Sequence, residues 1–425
     1  MLQLGQIVTL LVEKPAAGGR MIARVDGQVV LVAGTIPGER VVARIDRLGK
    51  GVAYASTQAV EEPSSDRRMV SGDPLCGGCL YAHIGYDRQL SLKSLIIADA
   101  FARIARLPLP SPVTVAPSPI EGYRMRARLH WRGGRFGFFR EGTHDLCDAR
   151  QTAQLLPATC DVIDRLGAEL GRLGDEVDEI DLAENLEASE RVVHLRTAKP
   201  GAPASRLASF SMDGLTGLAV SAPGGGCRVV SGSPHVTDRF DAGAGGSIAV
   251  RRHVLAFFQG NRFLLRRLVA HVVEQVPLGG AVIDLYAGGG LFAVAAARTR
   301  QARVTAVEGD RVAAEDLIVN AAAAESRVIQ ARHQSVEAFV LSASPDADAV
   351  IVDPPRTGLS REALDGVIRL RPRRVIYVSC DVATLARDAR LIVGAGYEML
   401  RADAFDLFPN TPHVECVVVF DSVIS

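Results

Sequence analysis

Two side chains near the C-terminal end of this chain could make and break covalent bonds. They are Cys380, in Val378-Ser379-Cys380-Asp381, and Glu415, in His413-Val414-Glu415-Cys416. A thiolate adds to an electron-poor carbon, and a carboxylate removes the proton that such an addition leaves to be lost. Alone, each has a plainer reading. A free cysteine is ordinarily a small buried hydrophobe, and a glutamate in an edge strand is ordinarily a surface charge. Three further strings change the weight: Asp284-Leu285-Tyr286-Ala287-Gly288-Gly289-Gly290, Val307-Glu308 and Asp353-Pro354-Pro355-Arg356.

The first string reads as a cofactor cradle. Asp284 closes an apolar strand, and three glycines lead into Leu291-Phe292 and a helix. Glycines let backbone approach a ligand closely, and the helix N-terminus adds polarity. Glu308 closes the next strand about twenty residues on, placed to accept hydrogen bonds from ribose hydroxyls. A nucleotide dehydrogenase would also fit Gly288-x-Gly290-x-x-Ala293 followed by an acid, and a tight turn without a ligand is the plainest alternative. Asp284, in Asp-x-Tyr-x-Gly-x-Gly, favours S-adenosylmethionine.

A methyl donor gives the cysteine and the glutamate a common purpose. Carbon 5 of uracil is a poor nucleophile until a thiolate adds to carbon 6, and the methylated carbon 5 must then lose its proton before the thiolate can leave. Amino-group methyltransferases also carry an acid or amide before two prolines, usually with an aromatic next. Arg356 stands there instead, and a guanidinium suits a phosphate or base oxygen better than a flat amine.

The elements that must position these groups follow from periodicity. Residues 1–62 read as a small β-barrel with a hairpin turn at Asp26-Gly27, followed by the polar break Glu61 to Arg68. Residues 63–238 read as a central α+β domain. It opens with Cys76-Gly77-Gly78-Cys79 and a helix from about Asp87 to Leu107, with Leu90, Leu92, Leu95, Ile96, Ala100, Phe101 and Ile104 as its apolar face. From Tyr123 the chain alternates, so Arg124, Arg126 and Arg128 share one face. The stretch from about 160 to 235 is β-leaning. Residues 239–425 begin with a helix predicted over roughly 252–275 and continue as alternating strands and helices, which implies a parallel, doubly wound sheet. Cys380 then falls at the C-terminal end of the strand Val375 to Val378, the edge where such sheets bind ligands.

Bulk composition narrows the classes. With 425 residues and 48% hydrophobic content, the chain has room for several cores. Its 48 basic and 48 acidic residues cancel, which argues against a broad polyanion binder but not against a local basic patch. No secretory leader and no membrane-length apolar run is visible. The seven cysteines suit a reducing cytosol, and a monomer is the default.

With these strings in order, the chain resembles the RNA uracil-5-methyltransferase family over nearly its whole length. Phe257-Phe258-Gln259-Gly260-Asn261, Asn320-Ala321, Tyr377-Val378-Ser379-Cys380 and Thr384-Leu385-Ala386-Arg387-Asp388 add to the motifs above. The resemblance implies that Gln259, Tyr286, Glu308 and Asp353 contact S-adenosylmethionine, that Cys380 is the nucleophile and that Glu415 is the base. It implies a TRAM-like, OB-type RNA-binding barrel at the N-terminus. The RNA substrate it favours is ribosomal, with transfer RNA as the other choice, and Arg124, Arg126 and Arg128 are candidates to hold it. The chain departs from the pattern at Ala287, Leu291 and Asp381-Val382. Many relatives also hold a 4Fe–4S cluster on four cysteines. Cys76 and Cys79 are two candidate ligands, but Val70 and Thr152 stand at the other two positions, so the reading leans against a complete cluster. Cys147 and Cys160 could substitute, or the four cysteines could hold zinc, or the Cys76/Cys79 pair could be a bare turn or a disulfide. Two other functions fit less well. An adenine or amide N-methyltransferase would have no use for Cys380. An inactive RNA-binding relative would have no reason to keep the reacting groups.

Overall fold

The computed structural model describes residues 2–70, 72–172, 177–197, 212–241, 247–324, 328–344 and 346–423. Strands β1 (Ile7–Pro15), β2 (Met21–Val25), β3 (Gln28–Ala33), β4 (Arg40–Gly49) and β5 (Val52–Glu62) close into a barrel in the order β1-β2-β3-β5-β4. Alternate residues turn inward, so Leu10, Val12, Met21, Ala23, Val30, Val32, Val41, Ala43 and Ile45 are buried. At the β2–β3 turn Asp26 and Gly27 have φ of 47° and 78°, both left-handed as a type I′ hairpin requires. The polar break after the barrel is pinned. Arg67 donates to both carboxylate oxygens of buried Glu39 at 2.6 Å.

Helix α1 (Tyr86–Ala100) follows, then a π-turn over Phe101–Ala105 and the short strand β6 (Val115–Ala116). Leu92, Ile96 and Ala100 are buried as expected. Leu95 and Ile104 are instead largely exposed, and Gln89 and Lys93 take buried places on the helix. The central sheet runs β13-β12-β11-β10-β7-β8-β9. Its strands are β7 (Arg126–Arg132), β8 (Arg135–Phe139), β9 (Leu146–Asp148), β10 (Val177–Glu184), β11 (Arg191–Thr197), β12 (Gly217–Ser221) and β13 (Arg228–Gly232). Helix α2 (Pro157–Arg172) covers one face of this sheet. The β-leaning reading missed this helix, whose Cys160, Ile163, Leu166 and Leu170 are buried at helical spacing.

A two-stranded ribbon, β14 (His235–Asp241) and β15 (Ser247–His253), leads into the C-terminal domain. The helix predicted over 252–275 is therefore shorter, because only Leu265–Glu274 is helical (α3). Arg252 belongs to the ribbon, where it is buried and donates to Asp238 at 2.8 Å. Residues 254–264 turn instead towards the sheet edge.

The last domain is an eight-stranded sheet in the order β18-β17-β16-β19-β20-β22-β21-β6. Its strands are β16 (Ala281–Leu285), β17 (Arg303–Glu308), β18 (Ile329–His333), β19 (Ala349–Val352), β20 (Arg374–Ser379), β21 (Tyr397–Phe405) and β22 (Glu415–Ser422). Helices α4 (Leu291–Arg300), α5 (Arg311–Ala323), α6 (Val336–Ser342), α7 (Arg361–Leu370) and α8 (Val382–Gly394) connect them. Strands β16 to β20 run parallel, and β22 inserts antiparallel between β20 and β21. The Ala-Val-Ile-Val of β19 is buried on both faces, as a covered parallel sheet demands. Asp310, Ser335, Ser360 and Asp381 each accept a backbone N–H of the helix they start, a contribution of about 1 kcal/mol per cap.

The cysteine segment does not present four free thiols. Cys76 is disulfide-bonded to Cys147, not to Cys79, and Cys79 is a buried free thiol beside them. Val70 packs against this group with its aliphatic side chain, and the buried hydroxyl of Thr152 donates to the Ala149 carbonyl at 2.7 Å. A cubane held by four thiolates does not fit these residues. Cys160 lies apart, in the core under α2.

Candidate active site

The C-terminal ends of β16, β17, β19 and β20 meet at one sheet edge, and antiparallel β22 starts there. Ser379 pairs with Cys416 across the ladder, so the next residues outward, Cys380 and Glu415, emerge side by side. A cavity of about 590 Å³ opens at this edge. Cys380, Glu415, Gln259, Tyr286, Glu308 and Asp353 all line it, and so do Arg126, Phe257, Arg356 and Phe408.

One end of the cavity is the glycine turn between β16 and α4. Tyr286, Gly288 and Gly290 have φ of 60°, 55° and 88°, and at the last two positions glycine follows this left-handed path without strain. A Cβ on Gly288 would meet only the Phe257 carbonyl, at 4.0 Å, whereas one on Gly290 would strike Leu317 on α5 at 2.7 Å. Gly288 thus leaves room for a ligand and Gly290 lets the turn pack on the next helix. The N–H groups of Gly288 and Asp310 donate to the two oxygens of Glu308 at 2.7 and 2.6 Å. That fixes the carboxylate with lone pairs free for ligand hydroxyls. Asp284 lies fully buried under the turn. Burial, and then the nearby Asp353, push its carboxyl well above the usual range.

The reacting end is crowded with acids. Burial pushes the Cys380 thiol up to about 11, the neighbouring Glu415 adds to this, and Arg356 opposes it by charge and by a hydrogen bond to the sulfur. Glu415 is itself held well above the ordinary carboxylate range by burial and by Asp353, again opposed by Arg356. Asp353 is raised to about 7 by burial, against a hydrogen bond from Gln259, whose Nε2 donates to Asp353 Oδ2 at 3.0 Å. Two acids in one buried place cannot both ionise cheaply.

The three arginines of β7 and its approach separate. Only Arg126 lines the cavity. Its buried Nε has no hydrogen-bond partner among the described residues, and its guanidinium lies 5.9 Å from the ring centre of Phe257. Arg124 donates to the Arg126 carbonyl at 3.0 Å and also to Gln154. Arg128 pairs with Asp181 at 3.0 Å and with Glu179 at 3.7 Å. Sequence reasoning assigned no role to Phe257, whose ring is 63% exposed, or to Phe408. Arg356, read as suited to a phosphate or base oxygen, lines the cavity and also acts on the Cys380 thiol. Closeness to Gln259 was the available signal for Phe257, and sequence offered none for Phe408.

A family model described as tRNA (Uracil-5-)-methyltransferase matches residues 226–423, and a TRAM domain model matches residues 2–57. An uncharacterized RNA methyltransferase of Streptomyces coelicolor is 32% identical, over 96% of this chain and 91% of that protein. The 23S rRNA (uracil(1939)-C(5))-methyltransferase RlmD of Alkalilimnicola ehrlichii is 33% identical, over 95% of this chain and 94% of its own. Among solved structures, the Pyrococcus abyssi tRNA (uracil-54, C5)-methyltransferase in complex with S-adenosyl-L-homocysteine superimposes with a TM-score of 0.79 at 25% identity. It covers 97% of this chain and 99% of that one. No helix among the described residues is long and apolar enough to cross a membrane.

Proposed function

The chain belongs to the RNA (uracil-5-)-methyltransferase family, an S-adenosylmethionine-dependent enzyme class, and from that premise we propose that it methylates carbon 5 of one uridine through a transient Cys380 adduct. The observation that carries this reading is the opening of Cys380 and Glu415 into one cavity with the glycine turn. S-adenosylmethionine, when bound, supplies an electrophilic methyl. Glu308 would hold the ribose hydroxyls, with Tyr286, Gln259 and Asp353 along the rest of the cleft.

The Cys380 sulfur adds to carbon 6 of the uracil, and the ring π electrons move towards oxygen 4. Carbon 5 would then take the methyl, the donor's methyl–sulfur bond breaking to leave S-adenosylhomocysteine. Glu415 removes the proton left on carbon 5, the ring double bond re-forms and the carbon–sulfur bond breaks. Arg356 favours the thiolate at the first step, and the N-terminus of α8, just beyond Cys380, adds to this. A base inside folded RNA must leave its stack to reach the cavity. Arg126 and the exposed Phe257 ring suit a phosphate and a stacked base there. Ribosomal RNA is the favoured substrate, as the name of the Alkalilimnicola relative suggests. The enzyme reads as a monomer acting in the cytosol.

The test is RNA carrying 5-fluorouridine, whose fluorine cannot leave as a proton does. Wild-type protein with S-adenosylmethionine should give an adduct that survives a denaturing gel, and Cys380→Ala should give none. Wild-type rates of methylation by Cys380→Ala would overturn the reading in favour of nitrogen methylation.

A further inference from the structure

Glu415 is the first residue of β22, and the chain reaches it through the loop 406–414. This loop is held chiefly by α1 and the segment just before it, with Asn261 donating to the Leu407 carbonyl at 3.1 Å. Lys93, in the middle of α1, is fully buried and paired with fully buried Asp406. The same ammonium donates to the Phe408 carbonyl at 3.2 Å. That carbonyl also accepts the Thr411 hydroxyl at 2.7 Å, and the Thr411 hydroxyl oxygen accepts the His413 N–H at 3.3 Å. A continuous set of hydrogen bonds thus runs from Lys93 to a point two residues before Glu415.

Asn410 is the second anchor. Its φ of 61° is left-handed, a conformation asparagine tolerates better than most residues. Its side-chain oxygen accepts from Arg68 at 2.6 Å and from Gln89 at 3.0 Å. Its backbone N–H donates to the Gln89 side-chain oxygen at 3.0 Å, and its carbonyl accepts the Tyr81 N–H at 2.8 Å. Buried ion pairs are poor sources of net stability, and their best-attested use is to fix register. Here the fixed object is a loop whose Phe408 lines the cavity and whose end is the general base.

We propose that Lys93 and Asn410 are positioning residues for the proton-abstraction step, holding the 406–414 loop so that Glu415 meets carbon 5 of the adduct. This rests on the reading of Glu415 as base. It assigns α1 a part in the chemistry at the sheet edge. A loosened loop leaves thiolate addition and methylation intact and slows the step that frees the enzyme.

The experiment uses full-length protein and total RNA from a strain lacking it. The variants are Asn410→Gly, which keeps the left-handed backbone and removes only the side-chain amide, Lys93→Met, and Glu415→Gln as the reference. Turnover, KM for RNA and the fraction of enzyme trapped as methylated covalent adduct are measured together. Glu415→Gln should accumulate adduct. Asn410→Gly and Lys93→Met should lower kcat about tenfold or more, raise the adduct fraction and leave KM for RNA within about twofold. Adduct in Glu415→Gln with a wild-type fraction in Asn410→Gly overturns the positioning role alone. No adduct in Glu415→Gln overturns the base assignment and this inference with it. If Lys93→Met does not fold, Asn410→Gly decides the matter.

Discussion

Ser379 and Cys416 are cross-strand partners in the β20–β22 ladder, and that single pairing sets Cys380 opposite Glu415. A slip of one residue in β22 would turn the carboxylate to the other face of the sheet. The antiparallel insertion of β22 into an otherwise parallel run is what brings a residue late in the chain to the edge where the parallel strands end.

The buried thiol predicts a steep pH dependence. Cys380 is held at about 11, so its reactive thiolate is a minority species at neutral pH. Adduct formation with 5-fluorouridine RNA should rise with pH, approaching about tenfold per unit. Ionised Glu415 works the other way at this step, since its charge adds to the upward push on the thiol. Arg356→Ala removes the charge that opposes this push and should slow adduct formation at pH 8 about tenfold or more. A profile flat between about pH 7 and 9 would contradict the assignment of these groups.

Glu308 should control cofactor affinity. Its oxygens are already oriented by the N–H groups of Gly288 and Asp310. Glu308→Gln would turn an amide N–H towards one of those donors and lose a charged acceptor. Titration calorimetry with S-adenosylhomocysteine should show affinity weakened about ten- to a hundredfold, with RNA binding unchanged.

The arginines should differ in effect. Arg126→Ala removes a guanidinium that faces the cavity with a buried nitrogen unpartnered among the described residues, and should cut turnover strongly. Arg128→Ala removes one held by Asp181 and Glu179, and should alter kinetics little. Equal losses in steady-state assays would show that the whole face, not one residue, meets the RNA.

Asp353 should limit stability at high pH. Its folded pKa is about 7, above the ordinary 3.8. Folding therefore favours its protonated form, and that stabilisation is full below about pH 4 and lost as pH rises through about 7. Asp353→Asn should melt at a higher temperature than wild type at pH 8, and the difference should shrink towards pH 4. Calorimetry across this range checks the sign.

The cysteine segment makes a compositional prediction. Of the seven cysteines, two form the Cys76–Cys147 bond and five are free thiols. Denatured, unreduced protein should therefore titrate as five thiols and reduced protein as seven. Anaerobically purified protein should lack stoichiometric iron and sulfide. Bound iron and sulfide in wild type would contradict the misfit at Val70 and Thr152.

Much of this enzyme was legible in order. Strand and helix periods gave the barrel and the doubly wound sheet, because apolar spacing and turn residues act locally. The glycine turn, Glu308, Asp353, Cys380 and Glu415 were legible because each terminates or begins a strand of a sheet whose ligand edge is fixed by topology. The limits of that reading were tertiary. Helical spacing assigned nothing to Lys93, and only the fold supplied Asp406 to bury it against. Arg124, Arg126 and Arg128 shared one period, and only neighbouring β10 made Arg128 an ion-pair partner while Arg126 reached the cavity. Cys76 found Cys147 and not Cys79, since sulfur pairing depends on which strands meet. Local periodicity determines elements. Partners for charges and thiols come from residues far away in the chain, and packing alone decides them.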